Sequence, residues 1–490
     1  MSAVIVDAVN VTENHEAKRG KSMFLTLIQK EMMHHILSVR FVALLLMCLL
    51  LIPLTLSINY RSYRQDLVDY QEAVRLANIE ETTVNPKMPL EPEIEVSKLI
   101  LKPTPLSVFA KGLEDSLPSY LGMTRNGVTH GLPSTFSAPL SQLLGHLDFL
   151  FVVSTVFSLL ALLFTFDVVA GEREVGTIRI TLSNAVPRDL FLWGKLVGGY
   201  LVFIVPFLMS FLFGLLLLVW QGFPLGEPDV FPRVLNLMAI SLLYIGVFFA
   251  IGTVISTYLD SAKTALIVAF TIWVFAVLIT PRLGFLAAKV IAPARTAQSV
   301  YMEKKALRDD SKAELEKQKM KFIMEIRPDN QGRIVVSGNK IDEFMKPLAE
   351  EHRLKFQDHA NRIDRDYKRE TKRQEQLGET LSRITPTSSL IYLATNLTQT
   401  GKVQRSNYLQ TGDRYYDMLH TALFSKIDDY ATNRRYNLTT DIGQIIQPPP
   451  LATDTLVETL RQSAVDVLLL CFFAVTLTTV AFLKFFRLDI

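Results

Sequence analysis

The sequence predicts an all-α polytopic membrane protein. It has six transmembrane helices, a large, mainly helical extracytoplasmic insertion between helices 5 and 6, and a smaller one between helices 1 and 2. Three observations predict this class. The 490-residue chain is 49% hydrophobic with a mean hydropathy of +0.25, yet its charged residues are nearly absent from some stretches and dense in others. Six apolar stretches approach the roughly 20 residues that a helix needs to cross the hydrocarbon core. Between the last two lies a long, charged, glycine-poor segment with apolar residues at helical spacing. The formal net charge of +3 is too small to argue for nucleic acid. Cys48 and Cys471 both lie in apolar runs, so the polar regions carry no disulfide and no thiolate metal site.

Residues 1–22 lack a basic start, and Asp7 and Asn10 break their short apolar patch, so they read as a cytoplasmic tail. Residues 23–40 follow as an interfacial connecting helix. In it Thr26, Lys30, His34 and Ser38 form a polar strip, and Leu25, Ile28, Met32, Ile36 and Val39 an apolar one. The first span is 41–58 and the first extracytoplasmic region 59–146. The second span, 147–166, leads into a cytoplasmic coupling loop at 167–195. Spans three to five are 196–220, 234–257 and 265–280. Pro281 breaks or kinks the fifth, so "RLGFLAAKVIA" continues it as a second, tilted piece. The second extracytoplasmic region is 282–464, the sixth span 465–483 and the cytoplasmic end 484–490.

Lysine and arginine set the orientation. Lys18, Arg19, Lys21, Lys30, Arg40, Arg173, Arg179, Arg188, Lys195, Lys263, Lys484 and Arg487 flank one side, whereas the short loop 221–233 holds only Arg233. Arg61, Arg64 and Arg282 oppose the assignment but begin long segments, where the rule is weak. Both termini are expected in the cytoplasm.

In the second outer region Ile341, Phe344, Leu348, Phe356, Ile363 and Tyr367 form a sparse apolar stripe. "RPDNQGRIVVSGN" supplies turn residues around a short extended piece. A helical hairpin results, whose longer arm of about 35 residues reaches roughly 50 Å. The plainer alternative is a solvated charged helix that only connects spans.

"TFDVVAGEREVGTIRITLSNAVPRDLFLWGK" is too long and too structured for a simple connection. Gly171 and Gly176 bracket Glu172, Arg173 and Glu174, allowing a tight reversal or close backbone approach. Val175, Ile178 and Ile180 supply apolar bulk, Pro187 and Asp189 suit a first helical turn, and Trp193 and Lys195 anchor it.

This stretch resembles the signature of ABC-2-type export permeases, at Glu172, Arg173, Glu174, Gly176, Thr177, Leu182, Ser183, Pro187, Arg188, Gly194 and Lys195. "IQKEMMHHILSVRFVALL" is similar to that family's N-terminal connecting helix, with Lys30, Glu31 and Arg40 in place. "SRITPTSSLIYLATNLTQTG" and the terminal "FLKFFRLDI" resemble the long-outer-loop branch, which includes permeases linked to multicopper-enzyme maturation and gliding motility.

The resemblance implies a permease subunit of an exporter in the inner membrane, energised by a separate ABC ATPase subunit. Glu172, Arg173, Glu174, Gly176 and Thr177 would form the main ATPase contact, with Lys30 and Glu31 assisting. A second permease copy or a homologous permease completes a twofold assembly. ATP and Mg²⁺ would bind the partner, since this sequence contains no G-x-x-x-x-G-K-[ST] cradle and implies no cofactor of its own. The resemblance does not cover the outer hairpin; on its length and charge, the outer regions, chiefly 300–385, would reach an extracytoplasmic protein partner or gate the exit.

Other chemistries fit less well. Glu31 and His35 share a helix face beside His34, but no third metal ligand is nearby. No H-E-x-x-H helix occurs, and His146 with Asp148 reads as helix capping. Asp148, Asp167, Asp260 and Asp466 lie near span ends, so an ion-coupled carrier is disfavoured. Ser154, Thr155, Ser158, Ser210, Gly246, Gly252 and Ser256 read chiefly as packing residues. The alternative function is a membrane-anchored scaffold or mechanotransmitter whose outer hairpin recruits partners without transport.

Overall fold

A computed structural model describes residues 23–83, 95–124, 127–132, 147–183, 187–325, 338–424 and 448–487. The described chain is mostly helical, and six helices are long and apolar enough to cross a membrane. Contacts divide it into two compact units, 278–385 and the remainder.

Helix α1 spans 23–36, and a short turn at Leu37 and Ser38 separates it from α2, Val39–Thr83. The apolar part of α2 ends at Ile58, but the helix runs on through "NYRSYRQDLVDYQEAVRLAN". The segment after the first candidate span therefore begins as a continuation of its helix, because its residues are good helix formers without glycine or proline. An antiparallel sheet follows, β1 (Ser97–Ile100), β2 (Tyr120–Thr124) and β3 (Gly127–His130), in the order β1-β2-β3. Register pairs Leu99 with Leu121 and Met123 with Val128.

Helix α3 comprises Phe149–Phe151, a π-helical segment Val152–Phe157, and Ser158–Thr165. Asp148 caps it, accepting from Phe151 N at 2.7 Å. The coupling segment is itself helical: α4 (Ala170–Val175), Gly176, then α5 (Thr177–Ser183). Helix α6 (Arg188–Trp220) starts two turns before Leu196, so Lys195 lies inside a helix and not in a loop. Helix α7 is Val230–Tyr258 and α8 is Ala262–Trp273. A π segment at Val274–Ile279 leads into α9, Thr280–Ile291, with Pro281 in its first turn. The wider π turn accommodates a proline that lacks an N–H, so the helix continues through Pro281 into the second piece read from the sequence.

The core of the larger unit is aromatic. Phe157 lies 5.1 Å from Phe207 and Phe164 lies 5.4 Å from Phe203 between ring centroids, both edge-to-face. Helix α12 (Pro386–Leu397) contributes Leu390, Leu393, Ala394 and Leu397 to the same core. Its first turn meets Tyr244, whose hydroxyl donates to Ser154 O at 2.9 Å and shares a 3.1 Å hydrogen bond with Thr387 Oγ1. Arg233, read from the sequence as the last residue of the short 221–233 loop, lies in the first turn of α7 and is 2% exposed. It donates to Leu397 O at 3.1 Å, to Thr459 Oγ1 at 3.3 Å and to Asp454 O, tying α7 to the end of α12 and to α14 (Leu456–Gln462). Helix α13 (Lys402–Leu419) packs Tyr408, Tyr415 and Leu419 on Leu99, Leu121 and Met123 of the sheet. Helix α15 (Ala464–Phe486) is the sixth candidate span.

The smaller unit holds α9, α10 (Ala297–Glu325) and α11 (Gly338–Ser382). Lys304 pairs with Asp364 at 2.8 Å, Arg295 with Glu370 at 3.1 Å, and Arg308 lies 5.6 Å over the Phe356 ring. As position rises along α10 its partner falls along α11, so the two form an antiparallel hairpin. Residues 327–337 of the "RPDNQGRIVVSGN" stretch and the side chains of Ile341 and Phe344 lie outside the described residues, as do residues 1–22.

Candidate functional site

At the start of α2 the chain builds a charged elbow from α1, α4, α5 and the first turns of α6. Gly176 joins α4 to α5 with φ +81°, a left-handed conformation that glycine adopts without strain. Ile178 is 3% exposed and sits with Val168, Val169, Phe191, Leu192 and Phe485, which anchors the elbow to the helices beneath it.

Helix α1 lies against α6 at a small-residue contact. A Cβ on Gly198 would come within 2.9 Å of the Glu31 Cβ and 3.3 Å of Ile28 O, so only glycine permits this approach. The buried face of α1 is therefore Ile28, Glu31 and His35. Thr26, Lys30 and His34 face outward, as do Leu25, Met33 and Leu37. The sequence places Lys30 and Glu31 together, but a 100° step along the helix turns one to solvent and the other inward.

Ion pairs hold the elbow. Lys195, 7% exposed, donates to Glu31 at 3.1 Å and pairs with Glu172 at 2.6 Å. The other oxygen of Glu172 is buried without a partner among the described residues. Arg40 makes a two-pronged contact to Asp167 at 2.9 and 2.7 Å, donates to Leu163 O at 3.2 Å, and lies 4.9 Å over the Phe166 ring. Arg173 pairs with Asp260. Glu174 accepts from Ala262 N at 2.9 Å, capping the N-terminus of α8. His35 is buried and stacks 5.7 Å from Phe164, and its burial holds its pKa below the ordinary histidine value.

Of the seven residues singled out in the sequence, Glu31, Glu172, Arg173 and Glu174 thus make contacts within the chain. Lys30 and Thr177 are exposed, and Gly176 forms the hinge of the elbow. Sequence reasoning missed Lys195 as the hub and Asp260 and Asp167 as partners, although each is a charge at a span end, which was the available signal. Beside these residues opens a cleft of about 600 Å³, lined among others by Lys30, His34, Arg40, Glu172, Val175 and Thr181. Val175 and Ile180 stand 77% and 67% exposed. Among the described residues no group of three or more histidine, cysteine, aspartate or glutamate side chains is placed to hold a metal ion.

Six candidate spans with a helical elbow between the second and third describe a multi-pass membrane protein. The profile of the ABC-2 family transporter proteins matches residues 25–490, and the chain belongs to that family. It is the membrane component of a transporter, of a family that lacks catalytic nucleotide-binding domains and whose members typically pair with an ATPase. No curated protein matches the sequence.

Proposed function

We propose that this permease is an exporter subunit driven by a separate ATPase that docks on the elbow, with both termini on the same, cytoplasmic, side of the inner membrane. The observation that carries the reading is an elbow framed by ion pairs that presents Val175 and Ile180 beside a cleft. Isolated exposed apolar residues are ordinary, but two on one short helical hairpin, framed by charges, form a docking knob. In this reading Glu31, Glu172, Arg173 and Glu174 set the shape of the contact, Gly176 its sharp turn, and Lys30 and Thr177 touch the partner directly. Force from the ATPase then passes through Lys195 to α6, through Asp260 to the α7–α8 turn and through Arg40 to α2. A second permease copy or a homologous one completes the assembly.

Co-purification of the permease with its ATPase from membranes tests the contact. Glu174→Arg and Val175→Asp should leave insertion and yield unchanged and reduce capture severalfold, and undiminished capture with both would overturn it. A second reading, a scaffold or mechanotransmitter, draws on the long charged hairpin of α10 and α11. Cargo movement that persists without the hairpin would exclude that reading.

A further inference from the structure

At the opposite end of α2 from the elbow, a cleft of about 500 Å³ opens between the helix and strand β1. The apolar part of α2, long enough to cross a membrane, separates the two sites: Arg40 at the start of α2 holds Asp167, while Tyr70, Val74 and Ala77 near its end line this cleft. The apolar part of α2 ends at Ile58, so at 1.5 Å per residue Tyr70 stands about 18 Å further out.

The lining defines the occupant. Strand β1 is an edge strand, paired among the described residues only with β2, and an unpaired strand edge is a template for another extended chain. Gln399 and Gln404 border the same space, and neither carboxamide has a hydrogen-bond partner among the described residues. Gln399 at φ 58° is the left-handed cap that ends α12, its N–H donating to Asn396 O at 3.2 Å while Thr400 N donates to Thr395 O at 3.0 Å, which fixes where its side chain leaves the helix. A carboxamide offers both donors and an acceptor, the complement of a peptide unit. Among the described residues Lys102 is exposed with no ion-pair partner, and no aspartate or glutamate among them lines the cleft. Lys98, by contrast, is already 3.7 Å from Glu95 and 5.3 Å over the Tyr120 ring.

We propose that this cleft binds an extended, acidic peptide segment of a partner protein by strand addition to β1, with Gln399 and Gln404 pairing its backbone and Lys102 its carboxylate. The four residues of β1 extend about 13 Å, which fixes the recognised stretch at roughly four to six residues. A single-chain lipid would fill the apolar floor at Val74, Ala77 and Leu451, but it would leave both carboxamides unused and stand well clear of the bilayer.

The test uses the full-length permease in nanodiscs without its ATPase, so the outcome is independent of the docking proposed for the elbow. Fluorescence anisotropy is measured with a labelled hexapeptide alternating valine and glutamate, its valine–lysine counterpart, and a fluorescent fatty acid. Saturable binding of the acidic peptide is expected, with none for the basic one. Lys102→Glu should weaken it about tenfold, the loss of one charge-assisted hydrogen bond. Val74→Trp, which fills the cleft, should abolish it, and Gln404→Ala provides a second lesion if the tryptophan lowers the unfolding temperature. Equal binding of both peptides, binding of the fatty acid alone, or acidic-peptide binding that survives Lys102→Glu and Gln404→Ala would overturn the proposal.

Discussion

Lys195 is the residue on which the elbow turns. It neutralises two carboxylates from different elements, and Glu172 has no other partner for its buried oxygen among the described residues. Removing one member of a buried ion cluster leaves the others charged in a poor dielectric, which typically costs about 3–5 kcal/mol. Lys195→Met should therefore lower the thermal unfolding midpoint measured in detergent and expose the 170–183 segment to protease. Replacing Lys195 and Glu172 together, by Met and Gln, should recover part of that loss, because the double change leaves only Glu31 to be resolvated. Gly198 acts by sterics alone. With Cβ contacts of 2.9 Å to Glu31 and 3.3 Å to Ile28 O awaiting any side chain, Gly198→Ala should cost about 1–3 kcal/mol, read from the same unfolding curves.

Among the elements, α1 carries a pH dependence. His35 packs on Phe164, and the charged or titratable groups facing it are Glu31 and His34 from its own helix, Lys195 from α6 and Asp167 at the end of α3. Burial is the dominant cause of its lowered pKa. A histidine lowered from about 6.5 contributes stability that is present above that value and lost as pH falls through its folded pKa. Acidification below pH about 6.5 should therefore weaken the hold of α1 on α6, and His35→Phe should flatten that part of the stability profile, as measured by unfolding midpoints between pH 5 and 8. The same helix shows where sequence reading reaches its limit. Apolar periodicity located α1, but Glu31 and His35 are polar residues on the buried face, and only the glycines of α6 and the charge of Lys195 make that face habitable. The six spans were legible because about 20 apolar residues in a row have few other uses. Strands β1 to β3 were not, since strands of four or five residues are too short for an alternating pattern to stand out. Helix α12 was not either, being a buried helix of 12 residues, too short for a span and too apolar for a loop.

The whole molecule divides at Leu278 and Thr385 into units that make most of their contacts internally. Within the smaller unit the hairpin closes on itself. Gln374 donates to Ala292 O at 2.9 Å, so the chain returns beside its point of departure after more than eighty residues. That closure permits an excision. Joining Ala292 to Gln374 through a flexible linker of about four glycine and serine residues removes 293–373 while leaving the ends near their native separation. It also keeps α9 against the end of α11, where Gly378 faces Phe285 and Gly284 faces Ser382. The aromatic core, the elbow and the sheet lie wholly in the larger unit, and among the described residues none of their ion pairs or ring contacts draws on the excised stretch. The shortened protein should insert and unfold within about 5 °C of the intact one, a shift of under roughly 2 kcal/mol. It should also capture the ATPase as before, because Val175, Ile180 and Lys30 are untouched. A collapse in yield or unfolding temperature would mean that the hairpin holds the spans together. Intact folding with capture retained and cargo movement lost would place the hairpin's work at the outer end of the transport cycle.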